Sequence, residues 1–183
     1  MGMTSYSVAF KTEKVVVSVA DIKAHLRITH AYEDAVIDAY ADAAIISAEN
    51  YTGRYIHLYD VVGKSATFGD AAIIEHGPVN GDIVITYYDL DNSIQTLDDS
   101  YYDVMIFNGE PEIVYNPVLT LPSVYNRNDA VIVTYQAGYV TVPEPFKMYV
   151  KLVTAFLYEN RSDSVDKLPR FTQTIIRPYK RWQ

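Results

Sequence analysis

The hydrophobic period changes twice along this chain, and that limits the fold more than any other feature. Between residues 33 and 51 the apolar side chains Ile37, Tyr40, Ala41, Ala44, Ile45, Ala48 and Tyr51 recur at spacings of three and four. This spacing predicts a long helix with one buried face. Glu33 and Asp34 fall in its first turn, where the helix dipole favours negative charge, and Gly53 followed by Arg54 suits its end. A short helix precedes it: Ser18 reads as an N-cap with the acid Asp21 three residues on, and Ile28-Thr29-His30 breaks the helix after about Arg27. The same period returns after Val142-Pro143-Glu144-Pro145, where Phe146, Tyr149, Val150, Val153, Phe156, Leu157 and Asn160 share a face. Prolines are at home in the first turn of a helix. Residues 163–169 read as a loop, and a last segment over residues 171–183 is interrupted by Pro178.

Between these helical ends the pattern is short and β-rich. Runs at residues 71–74, 83–88, 94–97, 102–107, 112–115 and 131–135 are separated by turn residues, among them the clusters at 77–82 and 89–93 and the hairpin dipeptide Asn108-Gly109. Strands at this spacing without intervening helices predict antiparallel pairing. The expected fold class is α+β: a small helical bundle built from both chain ends, with an inserted antiparallel β module. The domains are then residues 1–55 with 141–183 for the helices, and 56–140 for an acidic, Tyr-rich β insertion.

Composition sharpens this division. The 183 residues include no cysteine, which excludes a disulfide framework, a thiolate zinc site and a cysteine nucleophile. Hydrophobic residues make up 49% and charged residues 21%, which excludes a disordered chain. No apolar run approaches the roughly 20 residues of a membrane span. The first ten residues show no basic segment leading into an apolar one, so no secretory signal is expected. The net charge is −8 but uneven. Residues 56–140 hold twelve acids against Lys64 and Arg127, whereas residues 141–183 hold eight cations against four acids. The middle of the chain therefore repels nucleic-acid phosphate, and the C-terminal part is the stretch that attracts an anionic partner.

Motifs for catalysis are missing or fail on inspection. There is no Gly-rich phosphate loop, no Ser nucleophile elbow and no His-Glu-x-x-His. His25, His30, His57 and His76 are scattered, and the spacing of five between the first two misaligns them on a helix. Asp89-Leu90-Asp91-Asn92-Ser93 begins like a calcium loop but has Ile94 where that loop needs Gly and Ser100 where it needs Glu. It reads as a polar turn. A hydrolase using Asp98, Asp99 or Asp103 is the enzymatic alternative, although adjacent acids on a strand face opposite sides.

Two features point to binding instead. The first is tyrosine, 17 residues in all, with Tyr87, Tyr88, Tyr101, Tyr102, Tyr115, Tyr125, Tyr135 and Tyr139 near or within the β module. They suit cross-strand packing and subunit contact alike, and as exposed platforms they would make the module a saccharide- or peptide-binding unit. The second is the C-terminal segment Thr174-Ile175-Ile176-Arg177-Pro178-Tyr179-Lys180-Arg181-Trp182-Gln183. Arg, Tyr and Trp are the side chains that most often carry interface energy. The segment therefore reads as a docking peptide.

Three stretches resemble a known family. They are VADIKAHLRITHAYEDAVIDAYADAAIISAENYTGR from Val19 to Arg54, ITYYDLDNSIQTLDDSYYDV from Ile85 to Val104, and DAVIVTYQAGYVTVPEPFKMYVKLVTAFLYENRSD from Asp129 to Asp163. Their order, with Glu-x-Tyr-Thr-Gly-Arg closing the long helix, Ala-Gly-Tyr before a Val-Pro helix start, and Leu-Tyr-Glu-Asn-Arg at that helix's end, is similar to the head–tail connector (adaptor, or head-completion) proteins of long-tailed bacteriophages and prophages. The closing run from Leu168-Pro169 to Arg181 fits the same pattern. The resemblance implies a structural virion protein, not an enzyme, with no catalytic residues, cofactor or metal. It would be made in the bacterial host cytoplasm and placed at the head–tail junction. It further implies a homo-oligomeric ring, commonly twelvefold, beneath the portal protein. Such a ring extends the DNA channel without sequence-specific DNA binding, meets a downstream neck or tail protein, and involves no membrane. In relatives the C-terminal segment reaches toward the portal, so Arg177, Tyr179, Lys180, Arg181 and Trp182 carry over as the portal-docking residues.

Overall fold

The computed structural model describes residues 5–12, 15–72, 74, 77–107, 110–161 and 170–181. The described chain contains seven strands and five α-helices and divides into two compact units. One holds residues 1–12 and 57–138, the other residues 13–56 and 139–183. The fold is mixed α+β with antiparallel strand pairing.

The helical unit is built on α2 (Asp34–Thr52) and α4 (Glu144–Glu159), joined by α1 (Val19–Leu26) and α5 (Arg170–Ile176). Ala41, Ala44 and Ala48 are buried on α2, and such small side chains let another helix approach closely. Against them stand the bulky residues of α4: Phe146, Tyr149, Val150 and Val153, all buried in the same cluster. The Tyr149 hydroxyl is satisfied at 3.0 Å by Ser47 Oγ, as a buried phenol requires. Both sequence-marked helix ends take the expected form. Ser18 Oγ accepts the Asp21 N–H at 3.1 Å and donates to the Asp21 carboxylate at 2.7 Å. Gly53, at φ +67°, closes α2 with its N–H on the Glu49 carbonyl.

Polar ties fasten these helices at their other ends. Lys23 of α1 pairs with Asp34 of α2 at 2.7 Å. Glu33, just before α2, accepts hydrogen bonds from the Tyr158 hydroxyl and, at 2.6 Å, from Arg161 beyond α4. The Tyr158 hydroxyl first and the Arg161 guanidinium second hold the Glu33 carboxyl below the usual range.

In the other unit, five antiparallel strands run in the order β1-β2-β7-β3-β4. They are β1 (Ser5–Thr12), β2 (Leu58–Ser65), β3 (Val79–Tyr88), β4 (Ile94–Thr96) and β7 (Val131–Ala137). Alternate residues are buried, among them Val131, Val133, Tyr135 and Ala137 on β7, as expected for a sheet covered on one face. A two-stranded ribbon, β5 (Tyr102–Phe107) with β6 (Glu110–Tyr115), and the helical turn α3 (Phe68–Ala71) complete the unit. Phe68 stands edge-on to both Tyr87 and Tyr115, each at 5.7 Å. The Ile113 N–H donates to the Ala72 carbonyl at 2.9 Å. Phe107 pairs with Glu110, the register a tight turn requires, while Asn108-Gly109 itself lies outside the described residues.

Three sequence expectations are corrected. Residues 71–74 were expected to form a strand, but Ala71 ends a helical turn. The cause is a second capping pair: Thr67 Oγ1 accepts the Asp70 N–H at 3.2 Å and donates to its carboxylate at 2.9 Å. Residues 58–65 form a central strand that the turn-based reading passed over. Residues 5–12 form an edge strand paired along β2, a strand the sequence reading did not expect. Among the described residues no helix is long and apolar enough to cross a membrane.

Gly138 marks the point where the chain leaves the sheet unit. It sits at φ +122°, and a Cβ there would overlap the His57 carbonyl. Gly138→Ala therefore combines left-handed backbone strain with a backbone clash. It should lower unfolding stability by roughly 2–4 kcal/mol, read from urea denaturation. For Glu33, a depressed native pKa means a stabilising contribution present above the unfolded-state value of about 4.3 and lost as pH falls through the native value. Glu33→Gln should leave a shallower fall in stability on acidification than the parent chain shows, measured as urea midpoints across an acid pH series.

Candidate functional site

The C-terminal segment, singled out by its cations and aromatics, folds back on the helical unit through residue 181. Its α5 helix ends in Ile176, fully buried among the residues of α2 and α4, with Thr172 also buried. A 3₁₀ turn over Arg177–Tyr179 follows, with Pro178 near its start. This is the interruption the sequence placed at Pro178. Tyr179 then stacks at a tilt on Phe146, ring centres 4.9 Å apart, and Phe146 in turn meets Tyr139 at 5.5 Å.

The backbone of the segment serves the end of α2. A helix C-terminus leaves carbonyls without intrahelical partners and carries partial negative charge. The Arg181 N–H donates to the Thr52 carbonyl at 2.8 Å. Arg54 Nε donates to the Tyr179 carbonyl at 2.8 Å, and Lys180 Nζ lies 5.2 Å from the Tyr51 ring centre. A Cβ on Gly53 would stand 3.6 Å from Arg181 Cβ, so the tail runs directly past the glycine that closes the helix. Every residue of the Tyr51-Thr52-Gly53-Arg54 run thus takes part in holding the tail or ending the helix.

The five sequence-derived docking residues separate accordingly. Tyr179, Lys180 and Arg181 are half-buried against their own unit, Arg177 is exposed beside Pro178, and Trp182 lies outside the described residues. The intramolecular role of the tail was missed. The available signal was the abrupt end of α2 at Gly53-Arg54, whose orphan carbonyls need donors from elsewhere.

The other candidates settle into structural roles. Asp89 organises the turn between β3 and β4: its carboxylate accepts N–H groups of Asp91 and Ser93 at 3.0 and 2.9 Å and the Gln95 amide at 2.8 Å. Asp98 accepts the Ser100 N–H at 3.0 Å, and the Ser100 hydrogen bonds hold its carboxyl low. Asp99 accepts from the Tyr102 hydroxyl at 3.2 Å, while Asp103 is exposed on the ribbon. A general acid would need a raised pKa, the opposite of what Asp98 has. Among the described residues no group of three His, Asp or Glu side chains is placed to hold a metal ion. His25 is exposed, His30 stacks on Tyr32 at 3.9 Å, His57 is buried, and His76 is outside the described residues.

The tyrosines mostly pack. Tyr102 is buried with its hydroxyl donating to the Ile83 carbonyl at 2.6 Å, and burial first, then Asp99, pushes it up to about 12. Burial likewise pushes Tyr115 up. Tyr88 lies under the Arg127 guanidinium at 3.7 Å, and Arg127 is fixed by Asp129. Of the eight tyrosines named from the sequence, Tyr125 alone is exposed. The set does not form an aromatic platform.

A model of the phage gp6-like head-tail connector protein family matches residues 16–108. No curated protein matches the chain. Among solved structures, a chain in the neck of an empty GTA particle computed with C6 symmetry is similar over 98% of this chain and 97% of its own, with a TM-score of 0.78 and 18% identity. A chain in the virion of a native gene transfer agent particle gives 0.76 and 18% over the same shares. One in the neck of a native particle computed with C12 symmetry gives 0.76 and 16%, again over 98% and 97%. At these identities the likeness is one of fold.

The packing of the tail separates its inner from its outer residues. Ile176→Ala should destabilise the protein by roughly 2–5 kcal/mol in thermal or urea unfolding. Arg177→Ala should stay within about 0.5 kcal/mol of the parent, because its side chain is exposed.

Proposed function

The chain belongs to the phage gp6-like head-tail connector family, and from that premise we propose how it makes the connection. Copies assemble into a closed, twelvefold ring under the portal protein of a filled head. The ring continues the DNA channel and offers its far surface to a neck or tail protein. The C-terminal segment, with Arg177, Tyr179, Lys180, Arg181 and Trp182, docks on the portal. The role is structural and requires no turnover. The protein is made in the host cytoplasm and ends at the head–tail junction.

The observation that carries this reading is the family match across residues 16–108, which spans most of the helical unit's first half and much of the sheet unit. The fold shared with chains of necks computed with C6 and C12 symmetry supports the ring. Charge supports the passage of DNA. The sheet unit holds twelve acids against Lys11, Lys64 and Arg127, so phosphate passing such a surface is repelled and does not adhere. A ring of one kind of chain needs a heterologous contact that closes, with two unlike surfaces on each copy. The division into an acidic unit and a nearly neutral one with a cation-rich C-terminal part meets that need.

The test mixes purified protein with portal-bearing heads that lack their neck, followed by imaging of the portal vertex. Full-length protein should add a ring. Arg177→Glu, and a chain ending at residue 181, should bind at least tenfold more weakly while unfolding at the same temperature as the parent. Equal binding by all three would refute tail docking, and failure of the full-length chain to bind would refute the connector ring.

A further inference from the structure

We propose that the outer face of α2 is a contact between neighbouring copies, taking the exposed Phe171 face of α5 from the next copy. This rests on the ring reading above and names the two surfaces that build it.

α2 is apolar on two opposite faces. Its inner face, with Ile37, Ala41, Ala44, Ile45 and Ala48, is buried. On the other side Val36, Ala39, Ala43, Ile46 and Asn50 recur at spacings of three and four, and all five are exposed, Val36 at 39% and Ile46 at 54%. A helix that packs on one face alone carries polar side chains opposite; a second apolar seam marks a second packing partner. The seam has a shape: Ala39 and Ala43 lie between Val36 and Ile46, so its middle is a shallow hole that takes one large side chain of a facing helix. It also has a charge. Asp38 and Asp42 border it on one edge, both exposed and without an ion-pair partner among the described residues, and α2 holds no Lys or Arg. The occupant that fits is therefore a bulky apolar residue in cationic, acid-free surroundings. A second α2 does not supply it, because in an antiparallel pair the same edges meet and aspartates face aspartates.

Among the described residues, charge selects Phe171. In the sheet unit the exposed large apolar side chains fall between residues 84 and 125, a stretch with no Lys or Arg. In the helical unit, apart from α2 and the adjoining Tyr32, they are Val15, Val140, Met148 and Phe171. Met148 stands beside Lys147, which Glu144 already holds at 2.7 Å, while Lys151 acts on Asp21. Val15 follows Glu13 and Lys14, and the first charge after Val140 is Glu144. Phe171, 70% exposed, lies in the run from Lys167 to Gln183, which holds five cations and no acid. Thr174, three residues on, is exposed on the same side of α5, and Thr172 and Ile176 are buried on the other, so α5 is held with the Phe171 ring outward. Arg177 follows this face, so the ring contact and the portal contact draw on successive parts of one segment. The α2 seam and the α5 face are different surfaces of one chain, so the contact is heterologous and propagates from copy to copy.

Because the chain has no cysteine, single-cysteine variants are clean probes. Ile46→Cys and Thr174→Cys proteins, which keep Phe171 and both alanines, are mixed in equal amounts on portal-bearing heads and treated with a short bismaleimide while the neck is imaged in parallel. A covalent dimer from the mixture, absent when either variant is used alone, is the expected result. Ala43→Glu and Phe171→Ala should each weaken ring assembly about tenfold with no change in thermal unfolding, since both side chains are exposed. A ring that forms without cross-linking, a dimer of the Ile46→Cys protein with itself, linkage to a portal or tail protein instead, or Ala43→Glu assembling as well as the parent overturns the proposal and leaves the ring standing. Heads that gain no ring even from the parent chain refute the ring reading, and this inference with it.

Discussion

The packing of α2 against α4 is the interaction on which the helical unit depends, and the two helices are separated in sequence by all of the sheet unit except β1. Alanines on one helix and large rings on the other set their closeness. This pairing survives an insertion of some eighty residues because the chain leaves and returns at neighbouring backbone positions. The Tyr139 N–H reaches the Ile56 carbonyl, and in the sheet unit Gly138 lies against the backbone of His57. With the two ends of the insertion so close, its length costs little: loop-closure entropy grows only with the logarithm of loop length.

The residues that carried the family resemblance are mostly those that solve this closure. Glu49 accepts the Ile56 N–H at 2.8 Å, fixing the turn after α2. Gly53 takes the left-handed conformation, and Arg54 holds the Tyr179 carbonyl. In the Leu-Tyr-Glu-Asn-Arg run, Tyr158 and Arg161 both reach Glu33, and the Asn160 N–H ends α4 on the Phe156 carbonyl. These side chains were legible as a pattern before their partners were known. They look like a signature of function and act as a signature of fold.

Where periodicity was strong the sequence reading held: α1, α2, α4 and the strands β3 to β7 fall close to the expected positions, β5 on the same residues. It failed where the signal was short or depended on a distant partner. The Thr67–Asp70 cap was as visible as the Ser18–Asp21 cap, but the apolar residues after it suggested a strand. Strands β1 and β2 acquire their meaning only from each other and from β7, and Gly63 and Lys64 weaken the local β pattern of β2. The tail was legible as a segment rich in contact-forming residues. Whether those contacts were with itself or with another protein depended on carbonyls at the end of α2, a hundred and more residues away, and no local window contains that information.

This self-packing constrains how a docking tail can work. Freeing residues 176–181 for capture as an extended peptide would expose the buried Ile176 side chain, at a cost of about 2 kcal/mol, before the Tyr179–Phe146 contact and the bonds to Thr52 and Arg54 are counted. It would also return the end of α2 to water. Binding energy used for such release is lost to affinity. The less costly route keeps the tail folded and presents what already faces outward: Arg177 and Pro178. Under the proposed docking, the bonds that close α2 would position the tail as well, so that a lesion at Gly53 or Arg54 would weaken the fold and the docking together.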